Sequence, residues 1–176
     1  MSSPRRLLVV GGLVLAVLGM LYGLHYAVFV EHQTLDRMGG SLAQAFVHAA
    51  ERNTAEARGA VDEYASTKYN YVRQVDVHSH WIGLAMLLIV LGAVFDNVVL
   101  SKRARMWVAS ALVTGSFVFP LGVILQTVSH GASCASALAI LGTATVTIAL
   151  AAIAWGFARG ADQMTQIESS SMGSTL

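Results

Sequence analysis

The chain reads as an all-α integral membrane protein: a four-helix bundle with a long extracytoplasmic helical hairpin between spans one and two. Three observations predict this. Of its 176 residues, 55% are hydrophobic and only 12% charged, with a mean hydropathy of +0.61, a balance foreign to soluble domains. Four apolar runs each approach the ~20 residues a helix needs to cross ~30 Å of hydrocarbon. Between the first two lies a polar stretch, 31–76, whose apolar positions recur at the helical period.

Taken in order, residues 1–30 hold MSSPRR and then the apolar run Leu7 to Val30. A basic start before an apolar run also describes a secretory signal. This run of about 24 residues exceeds the ~7–15 of a signal core, and no small-x-small cleavage site separates it from the charged stretch. A retained first span is expected. The second span is 77–101, followed by a basic loop, 102–105. A third span covers 106–128, a short outer loop 129–134, and a fourth span 135–158. The tail, 159–176, ends in the small polar segment Glu168–Leu176, expected to be disordered. Arg5, Arg6, Lys102, Arg103, Arg105 and Arg159 then abut the spans on one side. The positive-inside rule makes that side, and both termini, cytoplasmic, and the compact architecture suits a bacterial inner (plasma) membrane.

The hairpin is predicted from two patterns. Leu35, Met38, Leu42, Phe46 and Ala49 step by threes and fours, as do Ala57, Val61, Tyr64, Lys68, Tyr71, Val75 and His78. Asn53 and Glu56 have capping-box spacing, so a helix starts near Thr54 and returns unbroken into the membrane, while the first span extends outward to about Arg52. Gly39-Gly40 is the weak point of the outgoing arm. Two helices bury little by themselves, so a protein partner or a second copy of the chain is expected to cover the hairpin, with the lipid bilayer around the spans.

Composition also excludes classes. A net charge of +1 leaves no basic surplus for nucleic acid. One cysteine, Cys134, rules out an internal disulfide and a CxxC pair.

Chemistry is carried by histidines. Counted from the basic ends, His25 lies about 28 Å up the first helix, His80 about 33 Å up the second and His130 about 37 Å up the third. A b-type haem needs two imidazoles from different spans, an apolar slot and a cation for its propionates. His25 and His80 as the axial pair, His130 as a substitute for either, and Arg73 above them supply those parts. A zinc or copper site would use His25, His80 and His130 with Glu31 or Asp76, and with His32 and His78 as further candidates. Asp76, four residues before His80, could orient its imidazole, and Gln126 stands likewise to His130. His48 and His78 are otherwise read as surface residues.

The segment His78-Ser79-His80-Trp81-Ile82-Gly83, leading into an apolar run, resembles the histidine-bearing helix of membrane haem proteins of the haem–copper oxidase and nitric oxide reductase superfamily and their small relatives. The resemblance covers about twenty residues of one span. It implies a haem-ligand role for His80, or for His78 in another register. The further histidine pair of the oxidase centre is missing, so no oxygen- or nitric-oxide-reducing centre is implied. The leading expectation is a haem b-binding redox or electron-transport membrane protein with a bis-histidine site near the outer face, and no catalytic residue is assigned. The alternatives are a non-enzymatic structural or sensory subunit whose outer hairpin binds a partner, and a histidine-rich zinc or copper site.

Other residues are expected to serve packing and placement. Tyr22, Tyr26, Tyr69, Tyr71 and Trp81 fit an outer aromatic belt, and Trp107 and Trp155 an inner one. Gly92, Gly115, Gly122 and Gly142 let helices approach. Pro120 bends the third span, Cys134 packs as a small residue, and Asp96 reaches the interface or pairs with Arg103.

Overall fold

The computed structural model describes the backbone of residues 2–128 and 133–173, and the side chains of those up to 160. Five α-helices follow one another: α1 (Ser3–Phe29), α2 (Glu31–Ala50), α3 (Thr54–Val94), α4 (Lys102–Val128) and α5 (Ser133–Gly173), with a 3-10 turn at Phe95–Asn97. Four of them, Ser3–Phe29, Thr54–Asn97, Lys102–Val128 and Ser133–Gly160, are long and apolar enough to cross a bilayer. The protein is thus all-helical, with the make-up of a multi-pass membrane bundle. The tail segment expected to be disordered is helical as far as Gly173.

The spine is α3. Its 41 residues rise about 60 Å, twice the ~30 Å of a hydrocarbon core, so nearly half of it projects beyond a membrane. The projecting half pairs with antiparallel α2, and the apolar half pairs with α1. Gly39-Gly40 does not interrupt α2. The outgoing path breaks instead at Val30 (φ −120°, ψ −43°), where the amide still donates to Tyr26 O at 2.9 Å and the carbonyl still accepts from Thr34 N at 3.0 Å.

The hairpin tip is closed by local chemistry. Asn53 N donates to His48 O (2.8 Å) and Arg52 N to Ala49 O (3.1 Å), the paired bonds of a Schellman C-cap. That cap needs a left-handed residue, and Arg52 fills the place with φ 59°. Asn53 then caps α3, its side-chain oxygen accepting from Glu56 N at 3.4 Å.

Inside the bundle, α1, α3 and α4 share a core of Leu8, Leu15, Leu88, Phe95 and Leu112, all fully buried. Glycines set how near the helices come. On α1, Gly12 meets the Ala85 carbonyl and Leu88, Gly19 meets Trp81, and Gly23 meets the His78 ring; from α3, Gly92 returns the contact to Leu8 and Val9. On the other side α5 lies along α4 through Gly115, Gly122 and Gly142, whose absent side chains admit the backbones of residues 142, 139 and 119. Among the described residues the main packing of α5 is along α4, and at Gly156 it is pinned to the loop before α4 by a Val99 N to Gly156 O hydrogen bond of 3.2 Å. The four spans therefore do not close into a square bundle; a cleft remains between α3 and α5, with α4 as its floor.

The basic residues that abut the spans, Arg5, Arg6, Lys102, Arg103, Arg105 and Arg159, lie at the end opposite the hairpin. There Ser2 Oγ donates to Asp96 at 2.5 Å and Arg5 approaches the same carboxylate at 3.5 Å, so Asp96 pairs with α1 and not with Arg103. Trp107 and Trp155, 76% and 65% exposed, face outward near that end.

Candidate functional site

Height along a helix is not direction around it, and the histidines separate on that ground. On α1 the face turned to α3 carries Gly19 and Gly23. His25, two residues on, is rotated by about 200° from Gly23; it is exposed and lies against Phe29, ring centroids 5.5 Å apart. His80 points toward α4, with its ring edge-on to Phe119 at 4.8 Å. Its Nδ1 lies 2.5 Å from the backbone carbonyl of Asp76, so the main chain and not the Asp76 carboxylate orients the ring. His25 and His80 thus face away from one another across the α1–α3 pair. His130 lies outside the described residues.

The remaining candidates scatter. His78 is half-buried between α1 and α3, its Nδ1 2.9 Å from Gly19 O. Because a carbonyl only accepts, Nδ1 carries the proton, and this histidine is a tether between helices, not a surface residue. His32 is exposed, 3.4 Å from Asp36 on its own helix. Glu31 accepts from the Tyr71 hydroxyl at 3.4 Å. His48 lies at the hairpin tip, 3.2 Å from Glu56 and 3.6 Å from Glu51. Cys134 is exposed, not packed. Among the described residues no three His, Cys, Asp or Glu side chains gather as a metal would require. The haem b redox reading, the bis-histidine pair and the zinc or copper alternative are corrected on this point: the described histidines sit on different faces and are engaged locally.

Tyr22, Tyr26 and Trp81 are also placed differently from a lipid-facing belt. Tyr26 and Trp81, each 6% exposed, fill the α1–α3 interface. Tyr22 packs edge-on to Trp81 at 5.4 Å and donates to Gln74 at 3.4 Å. These contacts lock the root of the hairpin to the bundle.

Two surfaces stand out once the histidines are set aside. The first is the hairpin. Its inner seam on α2 runs Thr34, Met38, Ser41, Ala45, His48, and on α3 Ala60, Tyr64, Thr67, Tyr71, Gln74, each stepping by fours and threes. Toward the tip the side chains buried in the seam are small: Ser41, Ala45 and Ala60. The large apolar residues lie one position away, about 100° around the helix, and are uncovered. Leu42, Phe46 and Val61 are exposed, Phe46 by 70%, and with Ala49, Ala57 and Arg58 they bound a groove of about 480 Å³. Of the positions picked out by apolar periodicity, Leu42, Phe46 and Val61 therefore face outward, while Met38, Tyr64 and Tyr71 lie in the seam. The signal missed was the small-residue heptad beside them, which closely packed antiparallel helices favour.

The second surface is the cleft between α3 and α5. It forms a groove of about 570 Å³ with Phe119 and Val123 as floor, Ala139, Ile140 and Ala144 as wall, and Arg73 and Gln126 at its hairpin end. Arg73 thus belongs to this groove, turned away from His25.

Four long apolar helices and one projecting hairpin define the class, a multi-pass membrane helical protein. The chain matches no family model, no curated protein and no solved structure, so its function is argued from these surfaces.

Proposed function

We propose that the protein is a non-enzymatic structural membrane protein that self-associates through its hairpin, with the hairpin on the extracytoplasmic side and both termini in the cytoplasm. The orientation follows from Arg5, Arg6, Lys102, Arg103, Arg105 and Arg159, which all abut the opposite end of the spans. One observation carries the association: the hairpin packs its small residues inward and leaves Leu42, Phe46 and Val61 facing water.

The occupant is a second copy of the chain. A two-fold pairing sets the same patch against itself. Two such hairpins laid together form a four-helix unit with a real apolar core, which two helices alone lack. Charge agrees with self-pairing. Arg58 lines the groove, and Glu56, Asp62 and Glu63 stand beside it on the same helix, so an antiparallel copy brings each cation toward the other's carboxylates.

The test is cross-linking in membranes. With Cys134→Ser as background, Phe46→Cys should give a disulfide-linked dimer on mild oxidation, and Val61→Cys likewise. Phe46→Glu should leave the protein inserted and return it to a monomer in detergent. No dimer from either cysteine variant would overturn the reading. So would a cross-link only to a different protein.

A further inference from the structure

The cleft between α3 and α5 has no part in the hairpin argument, and its chemistry is specific. Its lining is almost wholly apolar, and it opens sideways because the main packing of α5 among the described residues is along α4. From Ser136 to Ile148 on α5 it descends about 18 Å, close to the ~15 Å depth of one leaflet. A water-filled slot of that lining inside a bilayer is unfavourable, and a hydrocarbon chain is the natural filling.

The hairpin end adds two polar groups at one level. Arg73 lies over the Tyr69 ring, 5.3 Å from its centroid. Among the described residues no carboxylate comes within ion-pairing distance of it. Gln126 is only 8% exposed, and its amide nitrogen donates to Ser136 Oγ at 3.2 Å. Among the described residues its amide oxygen is buried without a partner. A buried, half-satisfied amide costs about 1–3 kcal/mol, so this is a place where a ligand group belongs. The level is consistent along the chain: His80 meets Phe119, and Arg73 and Gln126 each stand seven residues, two turns, closer to the hairpin.

We infer that this cleft is a binding site for one anionic glycerophospholipid of the hairpin-side leaflet. An acyl chain lies along Phe119, Val123 and Ile140, the phosphate meets Arg73, and a hydroxyl of the polar head donates to the Gln126 amide oxygen. Phosphatidylglycerol has all three features. Phosphatidylcholine has the chain and the phosphate, but its ammonium opposes Arg73 and it offers no hydroxyl.

The experiment is native mass spectrometry of the full chain released from nanodiscs containing equal phosphatidylglycerol and phosphatidylcholine. Wild type should keep one phosphatidylglycerol in preference to phosphatidylcholine. Arg73→Gln should lower that preference about five-fold, the equivalent of the ~1 kcal/mol a basic side chain contributes beside anionic lipid. Ala144→Phe, which fills the groove from an exposed position on α5, should remove the adduct of either lipid. Lys102→Gln, at the opposite end, should change nothing. Equal retention of the two lipids by wild type would overturn the site. An adduct that survives Ala144→Phe, or that is lost with Lys102→Gln, would overturn it too, since either result places the lipid elsewhere.

Discussion

Replacing Gly142 by alanine tests the packing that leaves the cleft open. A Cβ at this position would lie 2.5 Å from Phe119 N, where ordinary contact begins at 3.4 Å. The obstacle is backbone, so no rotamer change relieves it, and α5 must move off α4 by about 0.9 Å. A gap of 0.5–1 Å forfeits roughly a quarter to a half of each dispersion contact along the seam, and overpacking of this kind costs about 1–3 kcal/mol. Alanine recovers up to ~1 kcal/mol as the better helix former. With the full recovery the net loss is up to about 2 kcal/mol, or a thermal midpoint lowered by up to roughly 8 °C for a chain of this size. Gly83 is the control, because a Cβ there meets nothing within 4 Å; Gly83→Ala should hold or raise the midpoint. Gly122→Ala meets the Ala139 backbone at 2.5 Å on the same seam, so the double variant should lose less than the sum of the singles, the helices having parted already. The readout is thermal unfolding in a single detergent. Equal midpoints for Gly142→Ala and Gly83→Ala, or strict additivity of the two seam variants, would refute close α4–α5 packing.

Two further outcomes follow from the hairpin and its root. Arg52→Gly should tighten the tip: the left-handed conformation costs a non-glycine residue ~1–2 kcal/mol, against ~0.5–1 for glycine's added freedom when unfolded. Amides of residues 48–56 should then exchange more slowly with solvent, and faster exchange would count against the Schellman geometry. Gly23→Ala should collide with the His78 ring, and His78→Ala should lose its bond to Gly19, each costing about 1–3 kcal/mol. The pair together should recover part of the loss in a double-mutant cycle of thermal midpoints, and full additivity would mean the two residues do not touch.

The spans were legible because ~20 consecutive apolar residues have one physical explanation. So were Asn53 as a cap, and Gly92, Gly115, Gly122 and Gly142 as points of close approach. What the chain did not reveal was azimuth. Counting rise places His25 and His80 at similar heights, but only knowledge of which face of α1 meets α3 shows that they point apart. The same gap hid His78, whose role depends on Gly19 and Gly23 lying opposite it. Part of the apolar pattern of the hairpin faces outward for a related reason. Apolar periodicity ranks faces by hydrophobicity, whereas two helices at close range select small side chains, so Ser41, Ala45 and Ala60 won the interior from Leu42, Phe46 and Val61.

The two surfaces share one helix, and that has a mechanical consequence. Through α3 the projecting half runs without a break into the bundle, so the hairpin's direction fixes the orientation of Trp81, His80 and Arg73 as a rigid set. On the outgoing path, between α1 and α2, the departure from helix is Val30, which lets α1 and α2 differ in direction while the Tyr22, Trp81 and Gln74 contacts hold the root together. Pairing of two hairpins would therefore set the separation and rotation of the spans beneath them, and with them the direction in which each α3–α5 cleft opens. A self-associated pair that hid both clefts would exclude lipid from them. The cross-linking and lipid-retention experiments, run on the same Phe46→Cys sample, distinguish that arrangement from one in which the clefts stay open to the bilayer.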